Sequence, residues 1–561
     1  MPHGSDLLRD DPRGHLMATD PRSTSTANIV ICDELSPAAM AIFERRGHTV
    51  LVRTGLDEAG LITLAPEASA FVVRSATRIT RRVIEAAPNL RVVGRAGVGV
   101  DNVDHIAATE RGVVVMNTPT GNTTTTAELA VALMCSLARH VPRAARLARE
   151  GGWSKKGLVG TELTGKTLGV VGFGRIGRVV AERALGLRMR VLCSDPFLPV
   201  EEAEKLVPGV RAVQLDELVA ESDFVTLHVP LDDSTRGLFG EERLARMKPG
   251  ARLINAARGG LVDETALCAA LESGHLAGAA LDVLEQEPPP ADHPLLRRED
   301  VIVTPHLGAS SVEAQHAVAV GIAEQICDFL ETGVAHNAVN APAVPVKTLR
   351  EIAPYVVLAE KIGDFIAQLC SDPLRKLEIT LAGEIASKDH RHIPLALLVG
   401  ALRRLEPGVN FVNAPTIAKE RGLRVLESVD EDGANYVSLL KVRASTRGGE
   451  ESHVVAGTVF GRKPLLVRID DQHLDLAPEG TMLITRHQDR PGVVGRLGTI
   501  LGNHGVNIRG VVLGPAGTAA DGLASAYISL YAEPTPEAIE EIRALDNVRA
   551  VRLVQWTRSQ S

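Results

Sequence analysis

From Asn28 onward the chain alternates short apolar runs with stretches of helical spacing. The runs "NIVICDEL", "HTVLVR", "AFVVRS", "LRVVGRAG" and "GVVVMNT" are of strand length and bounded by polar or glycine-containing turns. Apolar runs of that kind predict strands buried on both faces, and their alternation with helices predicts a parallel sheet with crossover connections. A second series begins at "KTLGVVGFGRIG" and continues through "RVLCSDP", "FVTLHVP", "ARLINAAR", "AGAALDV" and "VIVTPHL". Two predicted helices bracket this second series. The first opens on a capping box, Thr125-x-x-Glu128, runs through "LAVALMCSLARHVPRAARLAREGG", is kinked or split by Pro142 and stops at Gly151-Gly152. The second opens on Ser310-x-x-Glu313, runs to Glu331 and is closed by Gly333. A chain built this way leaves one domain, builds another and returns, so residues 28–125 and 310–335 are expected to form one discontinuous domain and 126–309 a second.

Past the returning helix the pattern changes. "AHNAVNAPAVP" reads as a linker, and 336–480 mixes helical and strand-like segments without a motif tied to chemistry. From 481 to 561 the order of "MLITRHQ", "GVVGRLGTILGNHG", "VNIRGVVLG", "LASAYISLYA", "PEAIEEIRAL" and "VRAVRLVQ" is β-α-β-β-α-β, a ferredoxin-like unit. The fold class expected is α/β: two doubly wound, Rossmann-like or flavodoxin-like domains, an intervening α+β domain and a ferredoxin-like domain.

Composition narrows the function classes. The length, 561 residues, calls for several domains. A net charge of −8 shows no basic excess for nucleic acid, and no apolar run reaches the length of a membrane span. The six cysteines are scattered without a C-x-x-C pair, mostly inside apolar segments, which suggests a reducing cytoplasmic setting and no metal site. Residues 1–27 are polar and lack the apolar stretch of a secretory signal; they read as a disordered extension.

Candidate chemistry sits at the ends of predicted strands. Gly172-x-Gly174-x-x-Gly177 lies between a predicted strand and a predicted helix. These glycines would permit a tight turn, close approach of a pyrophosphate and helix–sheet contact, with the helix N-terminus facing the phosphates. Asp195 stands 18 residues after Gly177. Its carboxylate would accept from ribose hydroxyls and repel a 2′-phosphate, favouring NAD over NADP. Arg258 ends another apolar run and is followed by two glycines; it is either a surface ion-pairing residue or a guanidinium that grips a carboxylate. "ALDVLEQEPPP" ends a strand with Asp282, Glu285 and Glu287, and "VTPHLGAS" ends one with His306. Each alone is an ordinary loop feature. Together they would bring an imidazole to take a hydroxyl proton, Glu287 to fix its tautomer, and Arg258 to hold a carboxylate and polarise the forming carbonyl.

With "VVRSATRIT", "GRAGVGVDNVD", "NTPTGNTTTTAE", "GKTLGVVGFGRIG", "HVPLDDSTRGLFG", "NAARGGLVDE" and "TPHLGAS" in order, the chain resembles the D-isomer-specific 2-hydroxyacid dehydrogenases, and its length resembles their long form. The resemblance implies Arg258, Glu287 and His306 as the catalytic trio. It implies NAD against Val98, Arg175, Ile176, Asp195, Val229, Ala256, Ala257, Asp282 and the loop His306, Leu307, Gly308 and Ala309. It implies 3-phosphoglycerate as substrate, met by Arg74 and by the loop around Val98, Gly99 and Asn102. The C-terminal stretch "QDRPGVVGRLGTILGNHGVNI" resembles an ACT domain. That likeness implies an amino-acid effector, L-serine, at Asp489, Gly492 and Asn507, across an interface with a second ACT domain; position 487 holds histidine where some relatives carry tyrosine. Region 336–480 resembles the intervening domain of the long form, with a regulatory or assembly role, and a homotetramer is implied. The alternatives are a dehydrogenase of glyoxylate, hydroxypyruvate or D-lactate, and a binding protein that senses NAD on the same fold. The residues from 334 to 561 argue against both, since shorter relatives end near the returning helix and a corepressor needs no amino-acid sensor. Glutamate at 287 argues against a formate dehydrogenase, which has glutamine there.

Overall fold

A computed structural model describes residues 26–342, 346–433, 435–448, 451–514 and 523–556. The extension expected at 1–27 lies outside them except for its last two residues. The first apolar series forms a five-stranded parallel sheet, in the order Thr49–Val52, Asn28–Ile31, Ala70–Val73, Val92–Arg95, Val114–Met116. The second forms a seven-stranded parallel sheet in which the strand Thr167–Val171 lies between Arg190–Ser194 and Phe224–Leu227. Strand order reverses on either side of Thr167–Val171, which opens a crevice at the carboxyl ends of the strands.

The helix Val312–Thr332 packs on the first sheet although the second separates them in sequence. Gly94 makes this possible: a Cβ there would lie 2.5 Å from Ile326 Cδ1. Arg46 fastens the same helix through Glu331 at 2.6 Å and Asp328 at 2.9 Å. Both expected capping boxes are displaced. The first helix runs Thr123–Ala138, so Thr125 lies inside it, and its hydroxyl is 2.9 Å from Ser311 Oγ, where the two interdomain helices meet. Ser311, not Ser310, caps the second helix, accepting from Ala314 N at 3.1 Å; the residue with extended backbone just before the first turn is the one that can reach back. Pro142 does split its helix. The break falls at His140 (φ 51°), and a new helix, Val141–Arg149, starts with proline in its first turn.

Residues 374–476 build a six-stranded, mostly antiparallel sheet against the helices Val346–Leu369 and His392–Leu402. The C-terminal unit is a four-stranded antiparallel sheet, ordered Ile508–Gly514, Leu523–Leu530, Thr481–Gln488, Val548–Gln555, with helices Val493–Asn503 and Pro536–Arg543. The two units share one core. Met482, Ile484, Tyr527, Val554 and Trp556 are buried with Phe365 and Leu377, and the Phe365 and Trp556 rings stack at 5.5 Å. Among the described residues no helix is long and apolar enough to cross a membrane, and no group of His, Cys, Asp and Glu is arranged to hold a metal.

Candidate active site

Gly172 ends the strand Thr167–Val171 with φ 89°, and Gly174 caps the helix Arg175–Gly186. The three glycines meet three different demands. A Cβ on Gly172 would fall 2.6 Å from His228 O, and one on Gly177 2.1 Å from Gly172 O, so both are closed by the protein itself. Nothing lies within 4 Å of a Cβ on Gly174, which leaves room above the helix N-terminus for a pyrophosphate. Asp195, after the strand Arg190–Ser194, accepts from Phe173 N at 2.8 Å and Phe197 N at 2.9 Å. It therefore stiffens the glycine loop and still has lone pairs for ribose hydroxyls. Arg175 is exposed and reaches Pro119 O at 3.5 Å; Ile176 and Val229 are half-buried, and Ala256 is buried. These residues suit a dinucleotide.

His306 sits in a left-handed turn (φ 55°) after the strand Val301–Val303, its amide held by Asp282 O at 2.9 Å. Its Nδ1 is 2.7 Å from Glu287 Oε2, and Glu287 Oε1 accepts from Leu284 N at 3.1 Å. Partial burial pushes the Glu287 carboxyl up, but the His306 hydrogen bond and charge, the Leu284 amide and Arg258 outweigh it and leave Glu287 below the usual carboxylate range. The loop carrying His306 hangs on Asp282, whose oxygens accept from Thr304 Oγ1 at 2.6 Å and from the amides of Leu307 and Gly308 at 2.8 Å each. Burial raises this carboxyl despite those bonds. Thr126, on the first interdomain helix, donates to Gly308 O at 2.7 Å, and Ala309 follows half-buried. Asp282 is thus chiefly the support of the loop.

Arg258 begins the turn after the strand Ala251–Asn255 and reaches across to the other α/β unit, Nε 3.1 Å from Asp101 Oδ2 and Nη1 2.7 Å from Ala257 O. Buried Asn255 braces that turn, donating to Arg258 O at 2.8 Å and accepting from Ala257 N at 3.0 Å. Facing it, Val98 O accepts from Asn117 Nδ2, and Gly99 lies under the guanidinium. Arg74 is held by its amide, 2.5 Å from Asp33 Oδ2, while its guanidinium donates to Glu34 O at 3.2 Å. The Asn102 side chain donates to Arg74 O at 2.8 Å and Thr77 O at 2.6 Å, so it clamps the Arg74 loop and leaves only its backbone to a ligand. Arg95 is a further cation here. Burial, then the proximity of Arg258, lowers it to about 10, and its Nε has no partner.

Asp33, Arg95, Asp101, Asn117 and Asn255 escaped the sequence reading. All five stood inside quoted segments; Asp33, Arg95, Asn117 and Asn255 lie at or just past strand ends, and that position was the available signal, whereas Asp101 sits in the loop beyond the strand Val92–Arg95. Of the proposed effector residues, Asp489 and Gly492 are exposed at one end of the C-terminal unit, Gly492 capping the helix Val493–Asn503 with φ 89°, while Asn507 is exposed at the opposite end, its carbonyl accepting from Tyr531 N at 3.1 Å. His487 points inward instead, buried 3.2 Å from Thr485 Oγ1, and burial lowers it below the usual histidine range.

The NAD-binding-domain model of D-isomer-specific 2-hydroxyacid dehydrogenases matches residues 131–308. The D-3-phosphoglycerate dehydrogenase intervening-domain model matches 351–470, and the ACT-domain model 481–547. A D-3-phosphoglycerate dehydrogenase of Archaeoglobus fulgidus is 42% identical over 93% of this chain and 98% of its own. This chain belongs to the D-3-phosphoglycerate dehydrogenase family. A family member from Methanocaldococcus jannaschii is 40% identical over 94% of this chain and 99% of its own. A glyoxylate reductase from Paecilomyes thermophila, 31% identical with a TM-score of 0.52, aligns over 98% of its length but only 56% of this chain. Family membership therefore rests on the whole length, including the intervening and ACT domains that the shorter relative's length leaves uncovered. The chain is an NAD-dependent dehydrogenase.

Proposed function

We propose that the chain oxidises D-3-phosphoglycerate to 3-phosphohydroxypyruvate with NAD, the first step of L-serine biosynthesis. The observation that carries this is the 2.7 Å bond of His306 to Glu287 in a crevice that also holds Arg258. With Nδ1–H donated to Glu287, the other ring nitrogen is free to take the proton of the substrate C2 hydroxyl. NAD held by the glycine turn and Asp195 would supply the acceptor for the C2 hydride. Arg258 binds the substrate carboxylate and stabilises charge on the forming carbonyl oxygen. Arg74 and the loop of Val98, Gly99 and Asn102 take the phosphate end, next to the half-buried guanidinium of Arg95, whose Nε has no hydrogen-bond partner. Gly172, Gly174, Arg175, Ile176, Gly177, Asp195, Val229, Ala256, Ala257 and Leu307–Ala309, on the loop that Asp282 supports, hold the cofactor.

The division at 125/126 and 309/310, with the returning helix completing the substrate domain, belongs to the same reading. So does L-serine as effector at Asp489, Gly492 and Asn507 across an interface between two ACT domains, where an acidic side chain would meet an ammonium and a helix N-terminus a carboxylate. A cytoplasmic homotetramer completes it. NADH oxidation with phosphohydroxypyruvate, compared with hydroxypyruvate and repeated with L-serine, tests all three levels. Preference for the phosphorylated acid and inhibition by serine are expected. Equal rates on both acids would overturn the substrate, and no turnover the enzyme.

A further inference from the structure

Arg258 is a side chain that bridges the two α/β units, and the structure shows what holds it. Its Nε donates to Asp101 at 3.1 Å and its Nη1 to Ala257 O at 2.7 Å. Those anchors lie on opposite sides of the crevice, one on the 97–102 loop and one on its own turn. A guanidinium is planar, so two fixed donors set its plane and with it the position of the remaining nitrogen, Nη2. That nitrogen lies over Gly99: a Cβ there would lie 2.0 Å from Arg258 Nη2 and 2.8 Å from Asp101 Oδ2. Any side chain at 99 would displace the arginine, the aspartate or both.

The ion pair is a poor candidate for a stabilising device. The Asp101 side chain is 73% exposed, and pairs so open to solvent add little to folding stability. What the pair does supply is orientation at the point where a substrate carboxylate has to be met.

We propose that Asp101 is a positioning residue: through its ion pair with Arg258 it sets the guanidinium plane so that Nη2, lying over Gly99, meets the carboxylate of a bound 2-hydroxy or 2-keto acid. This rests on the functional reading above for the identity of the acid. Asp101 itself stays on Nε, away from the reacting atoms, and acts only through Arg258.

The test compares D101N, D101A and D101E with the full-length protein, each also in an R258K background, in NADH oxidation with phosphohydroxypyruvate. Loss of one hydrogen bond to a charged group predicts a fall in kcat/KM of about tenfold to a hundredfold in D101A and D101N, mostly in the KM of the keto acid. D101E recovers part of it. The KM for NADH and the thermal midpoint stay at the wild-type values, and D101A costs less than about twofold further once Arg258 is lysine. Four results would overturn the proposal: unchanged kcat/KM, a lower KM for the keto acid (Asp101 then competes with substrate for Arg258), an undiminished loss in the R258K background, or a loss that tracks a lowered thermal midpoint. If the wild type reduces only unphosphorylated keto acids, the substrate reading falls, and the same ratios measured with those acids still judge Asp101. If it reduces none, calorimetry of oxalate binding to the NADH complexes of wild type and variants makes the comparison without turnover.

Discussion

Replacing Glu287 by glutamine changes one oxygen to an NH2 group and leaves the shape of the side chain intact. The carboxylate now does two things at once, accepting from His306 Nδ1 at 2.7 Å and from Leu284 N at 3.1 Å. A glutamine has one acceptor oxygen and cannot serve both donors. If the oxygen faces Leu284, the NH2 faces Nδ1, and the imidazole must move its proton to Nε2, which disables it as a base. If the oxygen faces His306, two N–H groups oppose each other at Leu284. Either arrangement loses a charge-assisted bond worth about 1.5–3 kcal/mol, or roughly a 10- to 150-fold drop in kcat at 1.4 kcal/mol per decade. The assay is steady-state reduction of phosphohydroxypyruvate with NADH and with 4-deuterated NADH. The isotope effect should rise as the chemical step slows, while the KM for NADH, set at the other side of the crevice, should hold. A kcat within about threefold of wild type, or an equal loss in NADH binding, would refute the assignment of Glu287 as the partner that orients His306.

Asp195→Ala removes the anchor of the Phe173 and Phe197 amides as well as the ribose acceptor; the KM for NAD should rise by about tenfold or more, and the preference over NADP should narrow, as read by initial rates with each cofactor. His228 packs behind the glycine turn with Nδ1 buried and unpartnered, and burial lowers it from 6.5 to about 4. Because the folded value is the lower one, the unfolded chain takes up the proton first, so this stability is full above 6.5 and is lost as pH falls toward 4. At about 1.4 kcal/mol per unit the loss is about 3 kcal/mol. Hydrogen exchange of the strand Phe224–Leu227 should speed up between pH 7 and 5, relative to the intrinsic rate, in wild type and much less in His228→Gln. Trp556→Ala empties the stack on Phe365 at a cost of about 3–5 kcal/mol, and should expose the 477–481 connection to proteolysis while leaving keto-acid reduction at the wild-type rate.

Some of the molecule was legible because its physics is local. Strands buried on both faces must be continuously apolar, so "AFVV" and "TLGVV" announced themselves, and their alternation with helices implied parallel sheets. The glycine turn was legible for the same reason, since closed backbone approaches at Gly172 and Gly177 admit no side chain. The capping boxes were misplaced by one to three residues because the point where the backbone enters the helix decides the cap, and neither that point nor the contact of Thr125 with Ser311 has a local signature.

By itself, the sequence determined the element types, the dinucleotide turn and the residues at strand ends able to do acid–base chemistry. Only the tertiary structure decided which of those ends face one another. Asp101 and Arg258 lie 157 positions apart in the chain, and nothing near either residue says that the two will meet. The common core of the intervening and ACT units was equally invisible, because an apolar face facing a neighbour looks the same in sequence as one facing its own domain. Proximity across a crevice is a property of packing, set by how helices such as Val312–Thr332 seat on a sheet, and the pattern of the chain carries that only after it has folded.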